Sequence, residues 1–234
     1  MLIGSDFEKI KIEVFDLILL EPNAMLGDLI LFCCAIYFAF QIKKTNEHSP
    51  FFKNWYWFFI SFGIGFLAGG ISHLFYYYLG VNGKYIPWYL GLLNSYFIEM
   101  AMISIFPIQH KIPLFNKLIQ TKLLLSCIVA TYIYANFDLN LDQKIGLLVP
   151  TLNSVIGLLI SLGVLGFYYS QKIHSGFLFF TISIFILIPT AFLQNLKINL
   201  HPWFDRNDAS HVLLLIGLFM YYKGVISYHK HLHQ

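Results

Sequence analysis

Asn207-Asp208-Ala209-Ser210-His211 runs directly into Val212-Leu213-Leu214-Leu215-Ile216-Gly217-Leu218-Phe219-Met220-Tyr221-Tyr222. A polar, helix-starting pentad opens an apolar run suited to a bilayer. An aspartate and a histidine fall in its first turns, so His211 is expected just inside the membrane edge. Ionisable groups at that depth are costly and mark function by default. The stretch sets two expectations: a membrane span, and a site at the outer end of it.

The rest of the chain repeats the first half of that reading. Of 234 residues, 58% are hydrophobic and 12% charged, half the charge of an average soluble domain at about 25%. Mean hydropathy is +0.66, and the apolar residues fall in blocks of about 18–25, the length that crosses a bilayer core. We expect an all-α, seven-transmembrane-helix bundle, a single integral membrane domain over 1–234. Its spans are near 24–42, 55–80, 88–109, 120–137, 146–169, 176–196 and 207–227, the fourth being the least apolar. Cys33, Cys34 and Cys127 lie in apolar blocks without a CxxC, so neither a disulfide framework nor a zinc ribbon is indicated. Nothing points to nucleic acid.

Residues 1–23 are expected outside the bilayer or at its interface. Asp6, Glu8, Glu13 and Asp16 are mixed with Lys9 and Lys11, unlike a cleavable signal peptide. Phe7, Ile10, Val14, Leu17 and Ile18 fit an interfacial amphipathic helix, while the alternation of Ile10, Ile12 and Val14 also suits a short strand. Orientation follows the lysines and arginines near span ends. One side collects Lys43, Lys44, Lys53, Lys111, Lys117, Lys122, Lys172, Lys223 and Lys230; the other has Lys84, Lys144, Lys197, Arg206, Lys9 and Lys11. Nine against six places the N-terminus outside and the C-terminus in the cytoplasm, in a plasma or inner membrane.

With that orientation, polar groups from six helices gather in the outer half. Asp28 lies near the start of helix 1, and Ser72 and His73 near the end of helix 2. Asn94, Ser95 and Glu99 are on helix 3, Asn153 on helix 5, Gln194 on helix 6, and Asp208, Ser210 and His211 on helix 7. The inner halves, such as Trp55–Phe62 and Leu213–Tyr222, are nearly all apolar. Buried polar groups in lipid need partners or water, so a polar cavity is expected. Taken singly, Asn94, Asn153 and Gln194 read as interhelical glue, and Gly65-x-x-x-Gly69 as a close-packing face.

His73 and His211 with Asp208 make a plausible zinc-ligand set with a water at the open position. Such a metal lowers the pKa of its water and polarises a carbonyl, giving hydrolysis of a lipid amide or ester. Ser72, Asn94 or Asn153 would then steady the oxyanion or substrate. Asp208 could instead accept the free N–H of His211 and fix its tautomer, and His201 is a further candidate ligand. Lys223 reads as a snorkelling lysine; His229, His231 and His233 could bind metal weakly, but a solvated basic tail is the better reading.

A histidine late in span 2, polar residues early in span 3 and a polar-x-x-x-His pair, Asn207 and His211, opening span 7 resemble the CREST superfamily. That group includes the alkaline ceramidases and the progestin and adipoQ receptors. The resemblance implies zinc held by His73 and His211, with Asn207 where the family has a further histidine and Gly69 where it has a serine. Glu21 and Asn23 are similar to the acidic entry segment of the ceramidases. The second reading is a non-enzymatic ligand-binding or sensor protein with a degenerate metal site. Membrane lipids, or a lipid or small-molecule ligand, are the expected partners.

Overall fold

Pro22 begins the first long helix because its ring presets φ and its missing N–H falls where no intrahelical partner exists. The computed structural model describes residues 1–234. After β1 (Leu2–Ile3), β2 (Lys11–Val14) and β3 (Leu17–Leu20) come α1 (Pro22–Lys44), α2 (Pro50–Leu74), α3 (Tyr76–Leu79), α4 (Tyr85–Ser104) and α5 (Ile112–Asn136). Then follow α6 (Gln143–Leu158), a π-helical stretch (Leu159–Leu165), α7 (Gly166–Lys172), α8 (Leu178–Asn195), β4 (Ile198–Asn199) and α9 (Arg206–Leu232).

The chain is all-α apart from two small hairpin-like pairings. Six helical segments are long and apolar enough to cross a membrane: Pro22–Lys44, Pro50–Leu74, Gln109–Asn136, Gln143–Lys172, Ser175–Asn195 and Arg206–Leu232. Large apolar side chains such as Leu124, Ile128, Ile160, Val164 and Phe185 point outward, as lipid-facing residues do. The protein is an integral, multi-pass membrane protein.

The expected third span is α4, which falls outside those six and ends at Ser104 rather than near 109. Its Asn94, Ser95 and Glu99 lower its hydropathy, and its neighbours explain them. α4 packs against α2, α5 and α6, an interior position where polar groups find partners. Neighbour contacts run α1–α2–α4–α6, through the π stretch and α7 to α8 and α9, and return from α9 to α1. α5 lies against α4 and α6, burying chiefly Ile119 and Ala130.

Pro150 and the π stretch interrupt the Gln143–Lys172 segment. Pro150 has no N–H for the Gly146 carbonyl one turn back, and the Tyr134 hydroxyl donates to that carbonyl instead at 3.3 Å. In the π stretch, Thr181 Oγ1 donates to the Leu162 carbonyl at 3.2 Å. The half of the bundle near the C-terminus is an aromatic layer. Trp55 stacks on Phe180, centroids 4.9 Å apart, with Phe51, Phe58, Phe177 and Tyr221 around them.

The N-terminal segment is a β-hairpin, not the amphipathic helix that its apolar spacing suggests. β2 and β3 pair antiparallel with Val14 opposite Leu17. Phe15 and Asp16 both take positive φ, 48° and 61°, as a two-residue hairpin turn of the primed type requires. β-branched Ile10, Ile12 and Val14 favour that strand. β1 pairs with β4, Leu2 opposite Asn199, so the N-terminus clips onto the α8–α9 connection.

Candidate functional site

Glu21 is the hinge of the cluster at the N-terminal end of the bundle. It precedes α1 at φ 49°, ψ 52°, a left-handed conformation that costs a non-glycine residue roughly 1–2 kcal/mol. Such strain persists where surrounding contacts over-determine it, and functional sites are where it clusters. The backbone N–H of Glu21 donates to the Ile10 carbonyl at 2.9 Å. Its carboxylate receives the Lys9 ammonium and His73 Nδ1, each at 2.9 Å.

A second acid, within α1 itself, repeats the pattern. Asp28, two turns into α1 and 2% exposed, takes His211 Nε2 of α9 at 3.1 Å. The acids therefore come from the residue before α1 and from α1 itself, and α2 and α9 supply one imidazole each. Gly27 and Gly70 make this possible. A Cβ on Gly27 would overlap His211 Nδ1, and one on Gly70 would lie 2.7 Å from Met25 Sδ and 2.9 Å from Asp28 Cβ.

Asp208 is used differently. Its Oδ2 accepts the backbone N–H of Asp205 at 2.9 Å, while Asp205 accepts the N–H groups of Asn207 and Asp208. This reciprocal capping box starts α9, one turn before His211. Asn23 of α1 also donates to Asp208 at 2.7 Å. Burial raises the pKa of Asp205, and the Asp208 charge works in the same direction against the two backbone donors.

The polar groups expected around one cavity are instead shared among several small clusters. Ser72 Oγ donates to the Gly69 carbonyl at 2.7 Å on its own helix. Asn94 accepts from Ser61 at 2.6 Å. Gln194 bridges to Asn207 and Ser210. Asn153 lies in a second cluster across α4, α5 and α6, where its carbonyl accepts from Ser95, its side chain accepts from Ser126, and Lys122 pairs with Glu99. These polar side chains bond within their own helix or to one or two neighbouring helices rather than to a common centre.

Lys122 does not sit at a span end: it lies ten residues into α5, about 15 Å along the axis at 1.5 Å per residue. Without it the basic residues divide eight against six. The orientation therefore rests on a smaller margin than the sequence suggests.

The structure brings His73 and His211 to the same end of the bundle but gives each its own carboxylate. His73, His211 and Asp208 do not present their ligand atoms within 4.8 Å of one another. Asp208 is engaged by the cap and Asn23, and His211 Nδ1 faces the backbone of Gly27. This arrangement does not fit the zinc-ligand set that the sequence singled out. The partners the sequence reading missed are Glu21 and Asp28. Asp28 was already placed at the depth of the two histidines, and matching acids to imidazoles by depth would have found it.

Around this centre lies a ring of charge outside the spans. Tyr76 has the Lys9 and Lys84 ammoniums over its ring at 4.6 and 5.3 Å. Burial lowers the pKa of Lys84, the Lys9 charge adds to this, and Glu21 and Asp28 oppose it. Asp6 binds Lys197 at 3.2 Å and Arg206 at 2.8 Å. Asn23 Oδ1, Asp28 Oδ2 and His211 Nδ1 are buried without a hydrogen-bond partner.

Burial pushes the Glu21 carboxyl up, but His73 and then Lys9 outweigh it and hold it at about 2 against an ordinary 4.5. A carboxylate depressed in the fold stabilises fully above its unfolded value and loses that contribution as pH falls through the folded one. Between pH 4.5 and 2, unfolding midpoints of the wild type should therefore fall more than those of Glu21→Gln, by on the order of 5 °C. Parallel pH profiles for the two proteins would show that Glu21 is not held in this way.

The chain matches the family described as a family of unknown function, DUF6962, over residues 24–230. No curated protein and no solved structure matches it. The match includes Asp28, His73, Asp208 and His211 and leaves out Glu21 and the N-terminal hairpin.

Proposed function

For a chain that belongs to the DUF6962 family, whose function is unknown, we propose a binding role: a membrane receptor or sensor that takes a small cationic ligand. The site is the cluster of Glu21, Asn23, Asp28, His73 and His211. The carrying observation is that each imidazole is closed by its own carboxylate, Glu21 just before α1 or Asp28 within it, rather than turned to a shared point. Two of the unpartnered buried atoms, Asn23 Oδ1 and Asp28 Oδ2, are acceptors, which suits a ligand rich in N–H donors or a positive charge. The seven-helix topology with the N-terminus outside belongs to this reading. α4 supplies the seventh span, and the eight-to-six division of basic residues supports the orientation.

A second reading keeps one observation in its favour. A carboxylate on one ring nitrogen is how zinc-ligating histidines are oriented, so a zinc-dependent hydrolase of a lipid amide or ester stands as the alternative. It requires both imidazoles to turn their remaining nitrogens to one point.

Thermal unfolding of the purified protein with ethanolamine, choline and spermidine as probes tests the choice. Stabilisation by an ammonium compound, removed by Asp28→Asn, is the expected result. Turnover of a ceramide-type amide or ester that His73→Ala abolishes would overturn the binding role. So would bound zinc lost on His73→Ala with His211→Ala.

A further inference from the structure

At the opposite end of the bundle, Glu47, His229 and His233 stand together. Glu47 lies in the α1–α2 connection, His229 in the last turns of α9 and His233 at its C-cap. Their three ligand atoms all lie within 4.8 Å of one another. Glu47 Oε1 is 2.6 Å from His233 Nε2 and 3.5 Å from His229 Nδ1. Donors around a tetrahedral zinc sit about 3.3 Å apart when each is about 2.0–2.1 Å from the metal. These spacings bracket that value.

We propose that Glu47, His229 and His233 form a binding site for a divalent transition-metal ion of the zinc class, separate from the cluster at the other end of the bundle. Imidazole with one carboxylate is a donor set that zinc and its neighbours accept. His229 and His233 are four residues apart on one helical face, the spacing that lets two side chains share a ligand. His229 Nδ1 is buried without a hydrogen-bond partner and lies 3.5 Å from the Glu47 carboxylate. The ring is held edge-on against Phe52, centroids 5.9 Å apart.

His231 does not belong to the set. It faces the other way and stacks on His174 at 4.6 Å, while His174 bonds Ser227. The alternation His229-x-His231-x-His233 therefore divides into two faces, of which one meets Glu47. Three protein ligands leave a position for water or a further donor. A metal there would fasten the end of α9 to the connection leaving α1, the two helices that carry His211 and Asp28 at their other ends.

The test uses the full chain purified through an affinity tag free of histidine, titrated with Zn²⁺ and read by calorimetry. A single site is expected, weakened about tenfold or more by His229→Ala, His233→Ala and Glu47→Gln, since loss even of an outer partner costs 10–100-fold. His231→Ala and the pair His73→Ala, His211→Ala should leave it unchanged. Affinity unaltered by Glu47→Gln would show a flexible tail chelating alone and would overturn the proposal. Equal loss on His231→Ala, or no zinc binding, would overturn it too. Loss on His73→Ala with His211→Ala instead would place the metal at the other end of the bundle, against both this site and the binding role.

Discussion

Gly27→Ala is expected to destabilise the protein by about 3 kcal/mol, the combined scale of overpacking and of a broken buried hydrogen bond. The added Cβ would overlap His211 Nδ1 and approach Cγ at 3.2 Å and Cβ at 3.4 Å. Turning the imidazole would carry Nδ1 away, but Cγ and Cβ would still stand tight against the added carbon, and the turned ring would no longer face Asp28. α9 must shift from α1 or the ring must leave Asp28, and either breaks the 3.1 Å pair. Unfolding midpoints in detergent measure this directly. With His211→Ala already in place the same substitution should cost much less. An equal cost in both backgrounds would mean that His211 does not lie against Gly27.

Glu99→Ala is expected to cost about 3–5 kcal/mol, the scale of removing one partner of a buried ion pair. Glu99 is 7% exposed on α4 and faces Lys122 of α5 and Ser95 one turn back. Its removal leaves a partly exposed ammonium among apolar helices about 15 Å from the start of α5, at 1.5 Å per residue, without its carboxylate. Replacing both members by apolar residues, Glu99→Leu with Lys122→Met, should recover most of the loss, as other buried pairs do. If Glu99→Ala is neutral, the lysine is solvated and the pair does not hold α5 to the bundle.

The spans were legible because lipid imposes length and composition together. α1 and α9 fall where their apolar runs predict, with Pro22 and Asp205 at their starts, while α2 begins at Pro50 and ends at Leu74, ahead of the expected 55–80 at both ends. α4 was legible as a helix, although its polar residues take it below the hydropathy of a lone span. The N-terminal hairpin was harder to read. Phe15-Asp16 lacks the glycine or asparagine that usually announces a primed turn, and the same apolar residues satisfy helical spacing. At the site, depth alone found His73 and His211, because imidazoles are rare in apolar runs. Their partners were obscured by Asp208, which is closer in sequence to His211 but turned back to cap its own helix. Lys122 was misplaced for a similar reason: counting charges near span ends says nothing about a lysine whose carboxylate lies on another helix.

The most direct measurement of whether His211 answers to α1 is a pair of double-mutant cycles on unfolding free energy. One combines Asp28→Asn with His211→Gln, the other Asp208→Asn with His211→Gln. Coupling of about 1.5–3 kcal/mol is expected in the first, the range for hydrogen bonds to charged groups, and values near zero in the second. Coupling confined to Asp208 and His211 would contradict the pairing on which the binding role rests.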